Sequence, residues 1–412
     1  MCSSDLLGDD AGDAIGTGGV WAGSLDGGEQ VLAAAPERDA GAIASFDADD
    51  AALDLPWSSG REVTGVSSGD RFGASFVVLD DADEDGQLDL FVGAPEARGE
   101  DGAAGAAYLF DLGGAVGPVS TIDRATFRGS EDGDEFGASV GGGDLDGDGV
   151  TDLFVGATGG QYYRGTVYAW FEGGYGEEES EGWRLVGEAV DDALGSALAV
   201  GDVDNDGYDD LVTCASGSSE GGEGGGACWL VFGSDNKSGE DRIGDEADAT
   251  FLGAAGDAVG DSPLTLTVAR LDGDDALDIV LGAPGRGAVA TWLGGSLSGT
   301  QTLAAADTLV TGTDELGAAV AGAEGPVGRA VLAGAPDGAG TGFLLDPGTT
   351  TAVPGGERAS WAGAVSGDGL GGATAGGEDL DGDSRPDFVL AAPGSDDGAA
   401  NAGKVYVLPG IE

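Results

Sequence analysis

The chain has 412 residues, 41% of them apolar, which is long and apolar enough to bury a sizeable core and too apolar for an acidic disordered tail. A formal net charge of -60 argues against nucleic acid and anionic membranes as partners, and the absence of histidine excludes Ser–His and Cys–His nucleophiles and histidine-ligated zinc or haem. Three cysteines are too few for a disulfide framework, no apolar run approaches the ~20 residues of a membrane span, and no secretory leader is recognisable.

The 84 glycines cluster between short apolar runs, a pattern of strands and turns that leaves no room for long helices. Read from the N-terminus, one phrase recurs seven times: an apolar residue, then glycine, with Asp three residues before that glycine. The pairs are Ile15-Gly16, Phe72-Gly73, Phe136-Gly137, Leu194-Gly195, Val259-Gly260, Leu316-Gly317 and Leu370-Gly371. The aspartates are Asp13, Asp70, Asp134, Asp192, Asp257, Asp314 and Asp368, and repeats start near these positions. A second strand about twenty residues on ends in small residues, as in "VLAAAP" at 31–36, "LFVGAP" at 90–95 and "FVLAAP" at 388–393. A third follows, such as "AAYLFD" at 106–111, "TVYAWF" at 166–171 and "KVYVLP" at 404–409. A fourth closes the repeat, as in "ATFRGS" at 125–130 and "ATFLGA" at 249–254.

Four strands in a repeat of about sixty residues make one propeller blade. The expected fold is all-β: a single seven-bladed β-propeller of four-stranded antiparallel blades spanning residues 1–412. The last repeat stops after its third strand, so residues 4–8 are expected to supply the outer strand of the last blade and close the ring.

Between the first and second strands lies the ladder Asp-x-Asp-x-Asp-Gly-x-x-Asp. It is complete at Asp81, Asp83, Asp85 and Asp89; at Asp144, Asp146, Asp148 and Asp152; and at Asp202, Asp204, Asp206 and Asp210. The last repeat carries Asp379, Asp381, Asp383 and Asp387, with Ser384 in the glycine position. Alternate carboxylates in a tight loop converge on a point, as calcium with six to eight hard oxygens requires. Carbonyls of Gln87, Val150, Tyr208 and Arg385 are expected to complete the four sites. An EF-hand is excluded because position twelve falls on Val92, Val155, Thr213 and Leu390. Magnesium fits less well, since so many protein oxygens favour the larger ion. The fifth repeat keeps Asp272, Asp274 and Asp278 but has Arg270 in first position, which leaves metal there doubtful. Residues 23–30 and 322–329 of the first and sixth repeats lack the ladder, and no metal is expected there.

These phrases resemble the FG-GAP repeats of integrin α-subunit propellers and bacterial relatives, over essentially the whole chain. Phe72-Gly73 with Gly93-Ala94-Pro95 is the nearest copy. The resemblance implies calcium in the blade hairpins, on the Asp positions above; no integrin leg or inserted domain is visible.

Elsewhere the bland reading prevails. Paired carboxylates are too common here to mark acid–base catalysis, and Lys237, Lys404, Ser75, Ser139 and Ser196 read as structural. Trp21, Trp57, Trp170, Trp183, Trp229, Trp292 and Trp361 read as packing between blades. Tyr162-Tyr163, in a loop beside Arg164, form the candidate recognition patch. Cys214 and Cys228 are placed for a cross-strand disulfide in an oxidising compartment, and equally for two free thiols. Cys2 is either an incidental thiol or the mature end of a bacterial lipoprotein.

The expected function is a calcium-stabilised extracellular or cell-surface adhesion module, non-catalytic and monomeric, with a protein or glycan ligand. Two alternatives stand: an accessory fragment of a larger secreted enzyme, and a halophilic scaffold. The latter stays open because four complete ladders use sixteen of the 76 acidic residues, and the rest still far outnumber the 16 basic ones.

Overall fold

A computed structural model describes residues 4–25, 28–47, 55–56, 60–83, 85–98, 102–112, 116–122, 124–171, 182–312, 315–325, 328–347, 352–353, 357–376, 379–380, 385–397 and 399–410. Its strands form seven separate sheets, each with four antiparallel strands as its blade, and four of them add a fifth, parallel strand from the next repeat. In blade 2 the four strands are Ser75–Leu79, Asp89–Ala94, Ala106–Asp111 and Ala125–Arg128, paired in that order. The other repeats reproduce this order, so first strands face the axis and fourth strands the rim.

The ring closes as the sequence predicts. Ser4–Leu7 pairs antiparallel with Lys404–Leu408, Leu7 opposite Lys404, and supplies the outer strand of blade 7. Leu6 and Ile15 are buried with Val389 and Val405, in the cluster where blades 7 and 1 meet.

The core is not one mass but seven clusters, one at each blade-to-blade interface. A second strand feeds two of them by simple alternation: Leu90 and Val92 face blade 1, while Phe91 faces blade 3. This is why those strands read as unbroken apolar runs (Asp89–Ala94 is buried at every position) rather than as an alternating pattern. Six tryptophans lie in or against these clusters; Trp57 falls outside the described residues.

The Asp-x-apolar-Gly phrase is the staple between blades. Each described Asp of the set accepts a backbone N–H three residues upstream; the Ser67 N–H to Asp70 Oδ2 bond is 2.7 Å and the Ala189 N–H to Asp192 Oδ2 bond is 2.6 Å. Asp314 falls outside the described residues. The apolar residue bridges to the preceding blade, Phe72 to Gly41 and Phe136 to Gly105. The glycine then turns with positive φ: at Gly137 φ is 92°, and a Cβ there would lie 2.4 Å from the Ala106 carbonyl oxygen. No other residue fits that position. The serines that follow lock the joint: Ser75 Oγ donates to the Gly137 carbonyl at 3.0 Å, and Ser139 Oγ to the Gly195 carbonyl at 2.6 Å.

A further device covers the rim. The segment between third and fourth strands reaches back and pairs in parallel with the previous blade's outer strand. Gly239–Arg242 covers Trp183–Val186, Gly299–Thr302 covers Ala249–Leu252, and Leu55–Pro56 covers Ser4–Leu7. These strands blunt edges that would otherwise invite aggregation. Along the axis, the first strands line a channel of about 520 Å³, and Leu264 in the turn Pro263–Thr265 reaches across it to the cluster between blades 7 and 1.

Candidate metal centres

The first-to-second-strand loops all emerge at one end of the channel. Within them the carboxylate ladder is held by its own backbone before any ion is considered. The second and third ladder aspartates accept the N–H two residues on: Asp83 Oδ1 from Asp85 (3.2 Å), Asp146 Oδ1 from Asp148 (3.2 Å) and Asp206 Oδ1 from Tyr208 (2.9 Å). Such Asx turns bend the chain so that alternate carboxylates face inward. Glycine follows the third Asp with positive φ, 87° at Gly86, 88° at Gly149 and 94° at Gly207.

Carboxylate oxygens from Asp81, Asp83 and Asp85 lie within 4.8 Å of one another, as do those from Asp144, Asp146 and Asp152, and from Asp202, Asp204 and Asp206. A second convergence in blade 2 joins Asp83 and Asp89 with Asp111 at the same spacing. Asp148 and Asp210 stand outside these trios. In blade 7, Asp379, Arg385 and Asp387 are described, while Asp381 and Asp383 lie outside the described residues.

The ninth-position Asp has two jobs. It is fully buried, and one oxygen holds the start of the loop: Leu145 N–H to Asp152 Oδ2 and Val203 N–H to Asp210 Oδ2 are both 2.8 Å, as is Leu380 N–H to Asp387 Oδ2. The other oxygen takes the N–H that follows the third strand in blades 4, 5 and 7, from Gly233, Gly294 and Gly410 at 2.9, 2.8 and 2.7 Å. Blade 5 keeps this anchor at Asp278 although Arg270 has replaced the first Asp of its ladder. The ninth Asp is thus a fold element as well as a candidate ligand.

The chemistry of the donor set suits a hard cation. Four buried oxygens, Asp81 Oδ1, Asp89 Oδ1, Asp144 Oδ1 and Asp152 Oδ1, have no hydrogen-bond partner. Burying a charged oxygen without a donor costs about 1–3 kcal/mol or more, so a cation in these loops relieves a standing penalty. Without one, burial pushes the Asp152 carboxyl up to about 8, against the Leu145 N–H and with help from Asp146 and Asp144. Burial likewise raises Asp210 to about 7 and Asp89 to about 6.

Blades 1 and 6 have no such loop because their strands stay paired until two residues separate them, Leu25 opposite Gly28 and Gly325 opposite Gly328. Three residues escaped the sequence reading. Asp111 ends a third strand directly opposite Asp89. Arg124 precedes a fourth strand and donates to Asp111 and Asp85. Asp209 of blade 4 accepts the Asp144 N–H at 2.9 Å and donates its own N–H to the Asp144 carbonyl at 2.9 Å, so adjacent loops are bonded to each other. Register across the hairpin, counted from the blade's small-residue end, would have found Asp111; nothing in the local pattern marks the other two.

Among the other candidates, Cys214 and Cys228 sit opposite each other in register and form a disulfide. Lys237 Nζ pairs with Glu246 over the Trp183 ring, and Lys404 Nζ with Asp397 over Tyr406. Tyr162 and Tyr163 are 84% and 56% exposed on a left-handed turn with φ of 63° and 61°. Among the described residues no helix is long and apolar enough to cross a membrane.

Four segments match the FG-GAP repeat family: residues 72–110, 136–170, 194–231 and 370–408. They are the four repeats with a complete Asp ladder. The chain is 39% identical to integrin alpha-5 of Xenopus laevis over 100 residues, 24% of this chain and 9% of that protein. It is 33% identical to integrin alpha-PS5 of Drosophila melanogaster over 192 residues, 45% of this chain and 18% of that one. It is 41% identical to human integrin alpha-X over 92 residues, 22% of this chain and 8% of that one. The alignments thus span less than a fifth of these relatives. A solved structure described as "Structure of Dos1 propeller" aligns with 93% of this chain and 78% of its own, at 10% identity and a TM-score of 0.48; the blade count rests on this chain's own sheets. The fold and the repeats define a protein of the β-propeller class. This chain is an FG-GAP repeat β-propeller related to the propellers of integrin alpha subunits.

Proposed function

We propose that this propeller is a calcium-stabilised, non-catalytic adhesion module that works outside the cell or on its surface and binds a protein or glycan. The observation that carries the calcium reading is the set of buried, unpartnered ladder oxygens in blades 2 and 3. About four ions are assigned, in blades 2, 3, 4 and 7, on the aspartates of each ladder and the carbonyls of Gln87, Val150, Tyr208 and Arg385. Calcium would supply the positive charge that lets these carboxylates stay ionised and buried together. The Cys214–Cys228 disulfide supports an oxidising compartment, where free calcium is also plentiful. Tyr162 and Tyr163, held exposed on a strained turn, are the proposed recognition patch.

The test is thermal unfolding in excess calcium, in chelator, and in chelator with molar monovalent salt. A large fall in midpoint with chelator that salt does not restore supports the reading. An unchanged midpoint in chelator removes calcium from it, and full recovery by salt alone favours a halophilic scaffold.

A further inference from the structure

Blade 2 differs from its neighbours by one cation. Arg124 Nη2 lies 2.8 Å from Asp85 Oδ2 and 2.6 Å from Asp111 Oδ2, and its Nε lies 3.6 Å from Asp83 Oδ2. Nε also donates to Asp111 Oδ1 at 2.7 Å, so Asp111 is gripped in a two-pronged fork. The guanidinium therefore leans on two of the three carboxylates of the Asp81, Asp83, Asp85 trio, and on two of the three in the Asp83, Asp89, Asp111 trio.

The repeat supplies its own controls. The residue whose N–H opens the fourth strand is the same structural position in blades 2, 3, 4 and 6: Arg124 to Leu109 O, Gly182 to Ala169 O, Asp248 to Leu230 O, and Arg358 to Leu344 O. Blade 3 has glycine there. Blade 4 has Asp248, whose carboxylate accepts the Phe232 N–H and adds negative charge beside Asp204. Blade 6 repeats the arginine–aspartate pair, as Arg358 Nε with Asp346 Oδ1, but has no ladder beside it. Blade 5, where the first ladder Asp is lost, has Arg270 in that place, and a Cβ on its Gly273 would lie 3.1 Å from Arg329 Nη1 of blade 6. At the fourth-strand opening, therefore, blades 4 and 5 carry Asp248 and Asp307, blade 3 carries glycine, and only blade 2 among these places a guanidinium beside a complete ladder; in blade 5 the guanidinium of Arg270 instead replaces the first ladder Asp itself.

We propose that Arg124 is a tethered cation that competes with calcium for blade 2, making it the weakest of the complete sites and the one that survives calcium loss. The proposal rests on the calcium reading above. With calcium bound, the guanidinium yields Asp85 and Asp83 and keeps Asp111. When calcium leaves, it returns and neutralises the loop, so blade 2 stays closed. Two buried oxygens, Asp81 Oδ1 and Asp89 Oδ1, stay without a partner while Arg124 is in place, which leaves the ion a position that the arginine does not fill.

The experiment titrates calcium into the chelator-treated full chain by isothermal calorimetry, for the parent, Arg124→Gln and Arg358→Gln. Removing a unit charge a few ångströms from the ion is expected to tighten the weakest site by about tenfold or more. The number of sites and the other constants stay unchanged, and Arg358→Gln changes nothing. Adding Asp85→Asn to Arg124→Gln is expected to cancel the gain. Arg124→Lys, which keeps the charge without the fork, should fall between. Thermal unfolding gives a second readout: Arg124→Gln lowers the midpoint in chelator but not in calcium. Constants within twofold of the parent, or a weakened site, would overturn the role of Arg124 while leaving calcium in place. No calcium heat in any variant would instead overturn the calcium reading beneath it.

Discussion

Asp278 shows what a ladder carboxylate does when its ladder is broken. It remains fully buried, and its two oxygens hold the Leu271 and Gly294 N–H groups at 2.6 and 2.8 Å. Asparagine can accept only one of these. Asp278→Asn is expected to cost about 1–3 kcal/mol in urea unfolding, equally with calcium and with chelator. Asp152→Asn, whose Oδ1 is unpartnered, should cost more in calcium than in chelator. Protonation separates the two states further. In the metal-free chain the folded pKa values of Asp89, Asp210 and Asp152 stand raised to about 6, 7 and 8, above the ordinary 3.8. The folded state then holds more protons than the unfolded chain, so this stability is complete at low pH and is lost as pH rises through 6 to 8. Melting in chelator should therefore fall between pH 5.5 and pH 8.5, and calcium should flatten that fall by holding the carboxylates ionised.

At the scale of the loop and the blade, the link between neighbours matters more than any single ligand. Asp209 clamps the Asp144 backbone of blade 3 from blade 4, and Leu277 of blade 5 donates in the same way to the Asp202 carbonyl. The loops of blades 3 and 4 are thus each backed by the next. Asp209→Ala leaves every ladder residue intact, yet it is expected to weaken calcium binding in blade 3 by about tenfold, as loss of a positioning partner commonly does. A titration in which only the blade 4 site moved would contradict the clamp. Much of this scale was legible beforehand: the strand read at 106–111 has those bounds, and the one read at 125–130 starts at Ala125 and ends two residues early at Arg128. The parallel covering strands were not. Gly239–Arg242 carries no apolar signal and is a strand only because an outer edge lies beside it.

For the whole molecule, closure is the decisive feature. Seven interfaces share the core, and the one between blades 7 and 1 depends on Leu6 and Ile15 from the N-terminal segment. Removing residues 1–8 takes away the outer strand of blade 7 and its hydrogen bonds to Lys404–Leu408. The truncated chain is expected to melt lower and less cooperatively, with early exposure of Trp361 or Trp21 fluorescence beside the opened blades. An unchanged, single sharp transition would argue that the ring holds without its closing strand. The repeat count, the blade order and this closure follow from the sequence alone, because a phrase repeated seven times can bury itself only by stacking on its own copies. The ladder aspartates were legible for the same reason, since their spacing is local. What only the tertiary structure decided are the meetings between distant segments: Asp111 and Arg124 at the blade 2 loop, Asp209 against Asp144, and Leu264 across the channel. None of these has a sequence period, because each depends on how one blade's end is aimed at another, and that is set by packing around the ring.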